Sequence, residues 1–321
     1  MSALLRTPLL AAARSPRLRE LITRMPVSRA VVTRFVAGTT GAEAVATAET
    51  VLRAGCFVSI DYLGEDTTDP ADARAAVDHY RELIAALAEL PQAGAEAGTV
   101  RPLEVSLKLS ALGQGLPGDG PAIAAAHARE VCLAAQDAGV WVTVDAEDHT
   151  TTDATLSIVR ELRADFPWLG TVLQAYLRRT EDDCRALAGA GSRIRLCKGA
   201  YREPPEVAYQ TRAEVDAAYL RCLDILTAGA GYPMVASHDP RIIAAAGRAL
   251  HAARRKPEEY EYQMLYGIRD DEQRRLAAGG HTVRVYIPYG DQWYGYFMRR
   301  LAERPANLAF FLRALGTGGR R

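Results

Sequence analysis

Arg299 and Arg300 stand side by side in YFMRRLAER, residues 296–304, shortly after RVYIPYG, residues 284–290. The earlier run alternates apolar and polar residues and then breaks at a proline and a glycine, so it reads as a strand ending in a loop. The later run spaces Tyr296, Phe297 and Leu301 as a helix does. Two guanidiniums just beyond a strand end can grip one small carboxylate through bidentate hydrogen bonds. The plainer alternative is a solvated basic face neutralised by Glu303.

Lysine usage singles out further candidates. The chain has three lysines, Lys108, Lys198 and Lys256, against 36 arginines. Ordinary positive charge has gone to arginine, so the lysines mark places where a compact, flexible ammonium is wanted. Lys108 falls where SLKLSAL leaves a strand, and a lysine inside a parallel barrel has to be paired or used. It suits either a Schiff-base nucleophile or a cation for an anionic substrate. Asp145, ending VTVDAEDH, can orient or neutralise such a cation. Asp145, Glu147, Asp148 and His149 together also resemble metal ligands, but no HxH or HExxH spacing supports that, and no metal is expected. In RLCKGAY, Arg195 and Lys198 flank another strand end, with Gly199 open to close approach of a ligand. A salt-bridged strand exit is the alternative there. SHDP brings Ser237 and His238 to a further strand end, with Asp239 a good N-cap for the next helix. Residues 113–118 satisfy GxGxxG literally, yet Pro117 lies inside the turn and Gly120 and Pro121 delay the helix, so this is a loop.

These residues need a scaffold. From about residue 55 onward, eight β-like runs (56–64, 103–112, 140–148, 171–177, 193–201, 233–239, 259–265 and 281–290) alternate with Ala-rich amphipathic helices. Eight βα units in this length predict an α/β fold, a (βα)8 TIM-type barrel, with a doubly wound sheet as the runner-up. The strand cores are apolar enough to be buried on both faces. Residues 1–50 are expected to be helices packed on the barrel, and 51–321 the catalytic barrel itself. Residues 91–102 read as a flexible loop and the final GTGGRR as a frayed tail. Barrel active sites lie at the C-terminal ends of the strands, where these polar residues cluster.

The balance of 39 basic and 39 acidic residues gives no electrostatic case for nucleic acid as a partner. Five cysteines without a CxxC pair suit a reducing cytoplasm. No apolar run approaches the roughly 18–20 residues of a membrane span. The Arg-bearing N-terminus, broken by Pro8, reads as helix of the mature protein and not as a targeting segment.

In order, SLKLSAL, VDAED, LQAYLRR, RLCKGAY, ASHDP, EYQMLYG, VRVYIPYG and YFMRRLAER resemble the proline dehydrogenase family, as do RFVAG (34–38) and SIDYLGE (59–65). The length resembles the stand-alone bacterial enzymes. The resemblance implies a flavin-bearing barrel that oxidises L-proline to Δ1-pyrroline-5-carboxylate and passes electrons to a quinone. On this reading Lys108, Arg299 and Arg300 bind the proline carboxylate, and Asp145 organises the polar network beside them. Tyr286 and Tyr296 wall the ring, with Leu265 nearby, and Tyr286 favours proline over hydroxyproline. Arg195 contacts the flavin near N5, while Ala146, Gln174, Lys198, Gly199, Ala200, Ser237 and His238 hold the rest of a non-covalent FAD. Cys197 and Arg202 depart from the family's usual residues and bear on the adenine end, not on the chemistry. A quinone acceptor implies peripheral contact with the inner face of the cell membrane, and a homo-oligomer is left open. Two competing readings remain: a Schiff-base aldolase using Lys108 or Lys198, and a non-catalytic amino-acid sensor.

Overall fold

The computed structural model describes residues 32–95 and 100–303, with the side chains of 299–303 outside that description. Eight strands form: β1 (Phe57–Tyr62), β2 (Leu103–Leu107), β3 (Trp141–Val144), β4 (Gly170–Gln174), β5 (Arg193–Cys197), β6 (Tyr232–Ala236), β7 (Glu261–Leu265) and β8 (Val283–Tyr289). Every neighbouring pair is parallel, and β1 also pairs with β8 from Phe57↔Arg284 to Tyr62↔Tyr289, so the barrel is closed. Each expected β-like run coincides with one of these strands, β4 and β6 each starting one residue earlier.

The described helices are α1 (Gly41–Arg53), α2 (Pro70–Ala88), α3 (Gly120–Ala138), α4 (Thr152–Leu162), α5 (Thr180–Leu187), α6 (Arg212–Ala228), α7 (Pro240–Ala252), α8 (Asp270–Ala278) and α9 (Trp293–Glu303). Local chemistry sets several starts. Thr40 and Thr211 make capping boxes with Glu43 and Glu214, and the Asp239 side chain accepts from the Arg241 N–H at the head of α7. Residues 113–118 are turns, and Pro121 belongs to the first turn of α3; it opens that helix where the sequence reading has it delay one, because a first-turn proline gives up no hydrogen bond. The expected N-terminal helices lie largely outside the described residues. Helix α1 runs through position 50, where the sequence reading places the domain boundary, and packs against β1, β8 and α2.

The strands are buried on both faces, but the two faces differ in kind. Val58, Ile60, Leu103, Val105, Leu107, Val142, Val144, Ile194, Leu196, Val283, Val285 and Ile287 belong to the main apolar core, which also holds Tyr80, Leu83 and Leu87 of α2. The alternate residues, Ser59, Asp61, Glu104, Ser106, Thr143, Arg193, Arg195, Glu261, Gln263 and Arg284, are equally buried and polar. The strands are thus buried on both faces as expected, although the inner face is polar and not apolar. Period-2 alternation places one set under the helices and the other inside the barrel, where only mutual pairing makes burial affordable.

A second apolar cluster sits apart from the first: Val32, Phe35, Val36, Leu63, Ile268, Tyr294, Tyr296, Phe297 and Met298. The segment 34–38 reaches it by crossing the ends of β7 and β8. Ala37 N–H donates to the Pro288 carbonyl at 2.9 Å and Gly290 N–H to the Gly38 carbonyl at 3.0 Å. Gly267 has to be glycine, since its φ is +70° and a Cβ there would lie 1.7 Å from the Arg34 carbonyl oxygen. Helix α9 is thereby seated over the C-terminal end of the barrel. Among the described residues no helix is long and apolar enough to cross a membrane.

Candidate active site

The C-terminal half of the barrel interior holds one continuous polar network. Lys108 follows β2 directly, 6% exposed, and its ammonium donates to Asp61 Oδ2 at 2.7 Å; Asp145 Oδ2 is 3.8 Å away. Asp145, directly after β3, accepts from Arg195 Nη1 at 2.6 Å, Ser106 Oγ at 2.8 Å and the Tyr286 hydroxyl at 2.7 Å. Each of the five N–H donors of Arg195 has a partner: Gln263 Oε1 at 2.5 Å, Ser106 Oγ at 2.9 Å, Asp145, Ser59 Oγ at 3.2 Å and Glu104 Oε1 at 3.0 Å. Its guanidinium also lies 5.3 Å from the centre of the Tyr286 ring.

Four residues expected from the sequence, Lys108, Asp145, Arg195 and Tyr286, are therefore joined through Asp145. The nearest partner of Lys108, however, is Asp61 and not Asp145. Asp61, Ser59, Glu104, Ser106 and Gln263 complete the network; Asp61 and Gln263 read from the sequence as polar strand-end residues without an assigned role, and Ser59, Glu104 and Ser106 are absent from the sequence-based set. The signal for them was the recurrence of a polar side chain at every second position of the strands.

Protonation follows from this arrangement. Burial alone would lower the pKa of Lys108, but the Asp61, Asp145 and Glu65 carboxylates outweigh it and hold the ammonium well above its usual range. Burial pushes Asp61 up to about 6 against the pull of Lys108, with Asp145 adding to the rise. The ammonium is thus the member of the pair that stays charged. Burial also raises Glu147, to about 7. Its carboxylate takes the Ser110 N–H at 3.0 Å and the Ser110 hydroxyl. Burial and the Asp145 and Asp61 charges keep the Tyr286 hydroxyl well above its ordinary value.

The remaining predicted residues form an arc on the exits of β3 to β6. Ala146, Lys198, Gly199, Ala200 and His238 are half-buried, and Gln174 and Ser237 buried. Gln174 Nε2 donates to the Glu147 carbonyl at 2.7 Å. His238 Nε2 accepts the Leu265 N–H at 2.9 Å, which accounts for the histidine that capping by Asp239 left unexplained. Lys198 pairs with Asp216, and with Asp239 at 3.2 Å, so the salt-bridged strand exit does form. Gly199, at φ +103°, is required for a different reason than the sequence suggests. A Cβ there would fall 2.2 Å from the Tyr176 ring, so packing demands the glycine whether or not a ligand approaches. The loop beyond it is tethered through Glu203, which accepts from the His149 N–H at 2.9 Å and the Tyr176 hydroxyl at 3.2 Å and pairs with His149 Nδ1. The acidic run 145–149 therefore diverges: Asp145 serves Arg195, Glu147 serves Ser110, Asp148 accepts from Thr150 and His149 meets Glu203.

On the opposite arc, Leu265 ends β7 half-buried, and Tyr296 of α9 is buried in the second apolar cluster. The side chains of Arg299 and Arg300 lie outside the described residues.

The donor set of the β3–β6 arc suits a flavin dinucleotide. At the exits of β5 and β6, Lys198, Arg212 and Arg241 face the two carboxylates Asp216 and Asp239. Three cations against two anions leave positive charge toward a diphosphate, beside the N-terminus of α7.

Comparison with known proteins gives the family. The family model described as proline dehydrogenase matches residues 44–313. Proline dehydrogenase 1 of Bacillus subtilis is 38% identical over 282 residues, covering 88% of this chain and 89% of that protein. The proline dehydrogenase of Deinococcus radiodurans is 40% identical over 287 residues, covering 89% and 90%. Among solved structures, proline utilization A from Bdellovibrio bacteriovorus, inactivated by N-propargylglycine, is similar with a TM-score of 0.78 and 27% identity. That match covers 86% of this chain and 33% of that one, so this chain spans about a third of its length.

Proposed function

This chain belongs to the proline dehydrogenase family, and we propose that it oxidises L-proline to Δ1-pyrroline-5-carboxylate with a non-covalent FAD, passing the electrons to a quinone. The observation that carries this reading is Lys108, a buried ammonium kept charged at the mouth of the barrel by Asp61 and Asp145. Such a cation is made to receive a small carboxylate and is ill-suited to nucleophilic attack, which needs the neutral amine. Lys198 is engaged by the two carboxylates Asp216 and Asp239. Both facts weigh against the aldolase reading.

The substrate carboxylate docks on Lys108, with Arg299 and Arg300 of α9 as further partners. Tyr286 and Tyr296 wall the ring together with Leu265, which leaves the ring little freedom to turn away from the hydride acceptor. Asp145 fixes Tyr286 through its hydroxyl and fixes Arg195 through its other oxygen. FAD, when bound, supplies the two-electron acceptor for the hydride that leaves the proline carbon beside nitrogen. Arg195 contributes positive charge where the acceptor gains electrons. Gln174, Lys198 to Ala200, Ser237 and His238 hold the cofactor along the β3–β6 arc, and Arg212 and Arg241 add charge at the diphosphate. In balance, proline loses two electrons and two protons, and a quinone becomes its quinol.

The test is an anaerobic visible spectrum of the purified, FAD-loaded protein before and after addition of L-proline. Bleaching of the flavin bands is expected, and their return on adding a soluble quinone. A flavin spectrum unchanged by proline would overturn the substrate assignment.

A further inference from the structure

We propose that Asp61 is a positioning residue of the substrate site: it holds Lys108 in place when the site is empty and takes up one proton from solvent when a carboxylate docks on that lysine. The inference rests on the proposed docking of the substrate carboxylate at Lys108.

Three observations lead to it. Asp61 is only 1% exposed, so a ligand meets the lysine and not the aspartate behind it. The salt bridge is short, 2.7 Å, and the second carboxylate, Asp145, stands 3.8 Å from the same nitrogen. One ammonium is therefore already shared by two carboxylates. Arg195 answers Asp145, but Asp61 has to share Lys108 with the arriving carboxylate, and a like charge at that range disfavours ionisation of the more buried member. Asp145 is anchored by Arg195, Ser106 and Tyr286, and so it is the better held of the two. Among the described residues, Asp61 has no cation but Lys108 as a hydrogen-bond partner.

The surroundings of Asp61 agree. It faces Lys108 from β2, Asp145 from β3, Tyr286 and Tyr289 from β8, and Tyr80 from α2, whose hydroxyl lies 3.5 Å from Oδ1 and donates at 2.8 Å to the Ser106 carbonyl. Tyrosine hydroxyls tolerate a carboxylic acid as a neighbour as readily as a carboxylate. In the empty site Asp61 titrates near 6, and a docked carboxylate moves that value upward. Between the free and bound values the ligand binds with proton uptake, so its affinity falls as pH rises across that interval and is level on either side. After uptake Asp61 keeps one oxygen as acceptor for the ammonium, and the positive charge of Lys108 turns to the ligand.

The test uses FAD-loaded protein and tetrahydrofuran-2-carboxylate, in which a ring oxygen replaces the proline nitrogen, so that the ligand has no amine to titrate. Calorimetry at pH 7 in two buffers of different ionisation enthalpy counts the protons taken up. The wild type is expected to take up a substantial fraction of one proton per ligand, with Kd rising severalfold between pH 6 and pH 8. In Asp61→Asn both effects should vanish while binding persists, and in Glu147→Gln both should remain. Wild-type binding without proton uptake across this range would overturn the inference, with no variant needed. Uptake that survives in Asp61→Asn and disappears in Glu147→Gln would overturn it equally and move the proton to Glu147. If the ligand produced neither heat nor a change in the flavin spectrum while L-proline still bleached the flavin, docking at Lys108 would fail and this inference with it. If proline failed as well, the proposed function itself would be at fault.

Discussion

The two ends of the barrel interior are both charged, but they use charge differently. Toward the N-terminal ends of the strands, Arg284 grips Glu261 at 2.8 and 3.0 Å and gives its other donors to the carbonyls of Val58, Pro102 and Arg101. Arg193 pairs with Glu104 at 2.5 Å and stacks 4.2 Å from the centre of the Trp141 ring. Toward the C-terminal ends, Lys108, Asp61, Asp145 and Arg195 are buried as well, but Asp61 stays within reach of a proton near neutral pH. Glu104 joins the layers, one oxygen on Arg193 and the other on Arg195. The lower layer closes on itself and holds the barrel. The upper layer keeps a cation whose counter-ions can rearrange, which is what a site for an anionic substrate needs.

Breaking the lower layer should have the largest effect. Arg284→Met strands Glu261 without its guanidinium in a region that neither water nor ligand reaches, at a cost of about 3–5 kcal/mol. Urea unfolding should show a large loss of stability, and the double variant Arg284→Met with Glu261→Leu should recover most of it. If the single variant unfolded like the wild type, the lower layer would not be what holds the barrel.

Lys108→Met removes the corresponding cation of the upper layer. It should weaken proline binding by ~10–100-fold, the worth of a charge-assisted hydrogen bond. Its stability cost should be smaller than that of Arg284→Met, because Asp61 can neutralise itself by protonation. Steady-state KM and the urea midpoint, measured on the same preparations, decide both points.

The layers should also separate by pH. Asp61 and Glu147 are raised in the folded protein, to about 6 and about 7, so the stability they contribute is full below their unfolded values near 4 and is lost as pH rises through 6 to 7. Glu104 goes the other way. Burial would raise it, but Arg284, Arg193 and Arg195 together hold its carboxyl well below the usual range. Its contribution is present above pH 4.5 and is lost as the solution becomes strongly acidic. Asp61→Asn should flatten the limb between pH 4 and 7, and Glu104→Gln the acid limb, each by on the order of 2 kcal/mol. Melting temperatures across pH 3 to 8 would reveal the two limbs.

A surface pair sets the bottom of the scale. Arg74, which bridges Asp78 and Glu130 at 2.9 and 2.8 Å on exposed helix faces, should lose no more than about 1 kcal/mol on substitution by alanine, with turnover unchanged.

Much of this was legible in the chain itself. The alternation of short apolar runs with Ala-rich helices marks the eight strands, because a parallel strand and the helix that covers it each need their own apolar period. Asp239 reads as a cap and residues 113–118 as a loop, since both depend on neighbours within a few residues. That Lys108 needs a partner also follows from its place at a strand end. Which carboxylate supplies it does not: Asp61 is 47 residues away and Asp145 accepts from other donors. The packing role of Gly199 was hidden for the same reason, since Tyr176 reaches it from a neighbouring strand exit.

The sequence by itself determined the periodicities, the caps and the list of polar side chains that must turn inward. Only the tertiary structure decided who pairs with whom. Closure of β8 on β1 and the stagger of the strands set which inward side chains share a level, so that Tyr286 meets Asp145 across 141 residues and Arg195 meets Ser59 across 136. Such contacts depend on the geometry of the whole barrel, and no local pattern encodes them.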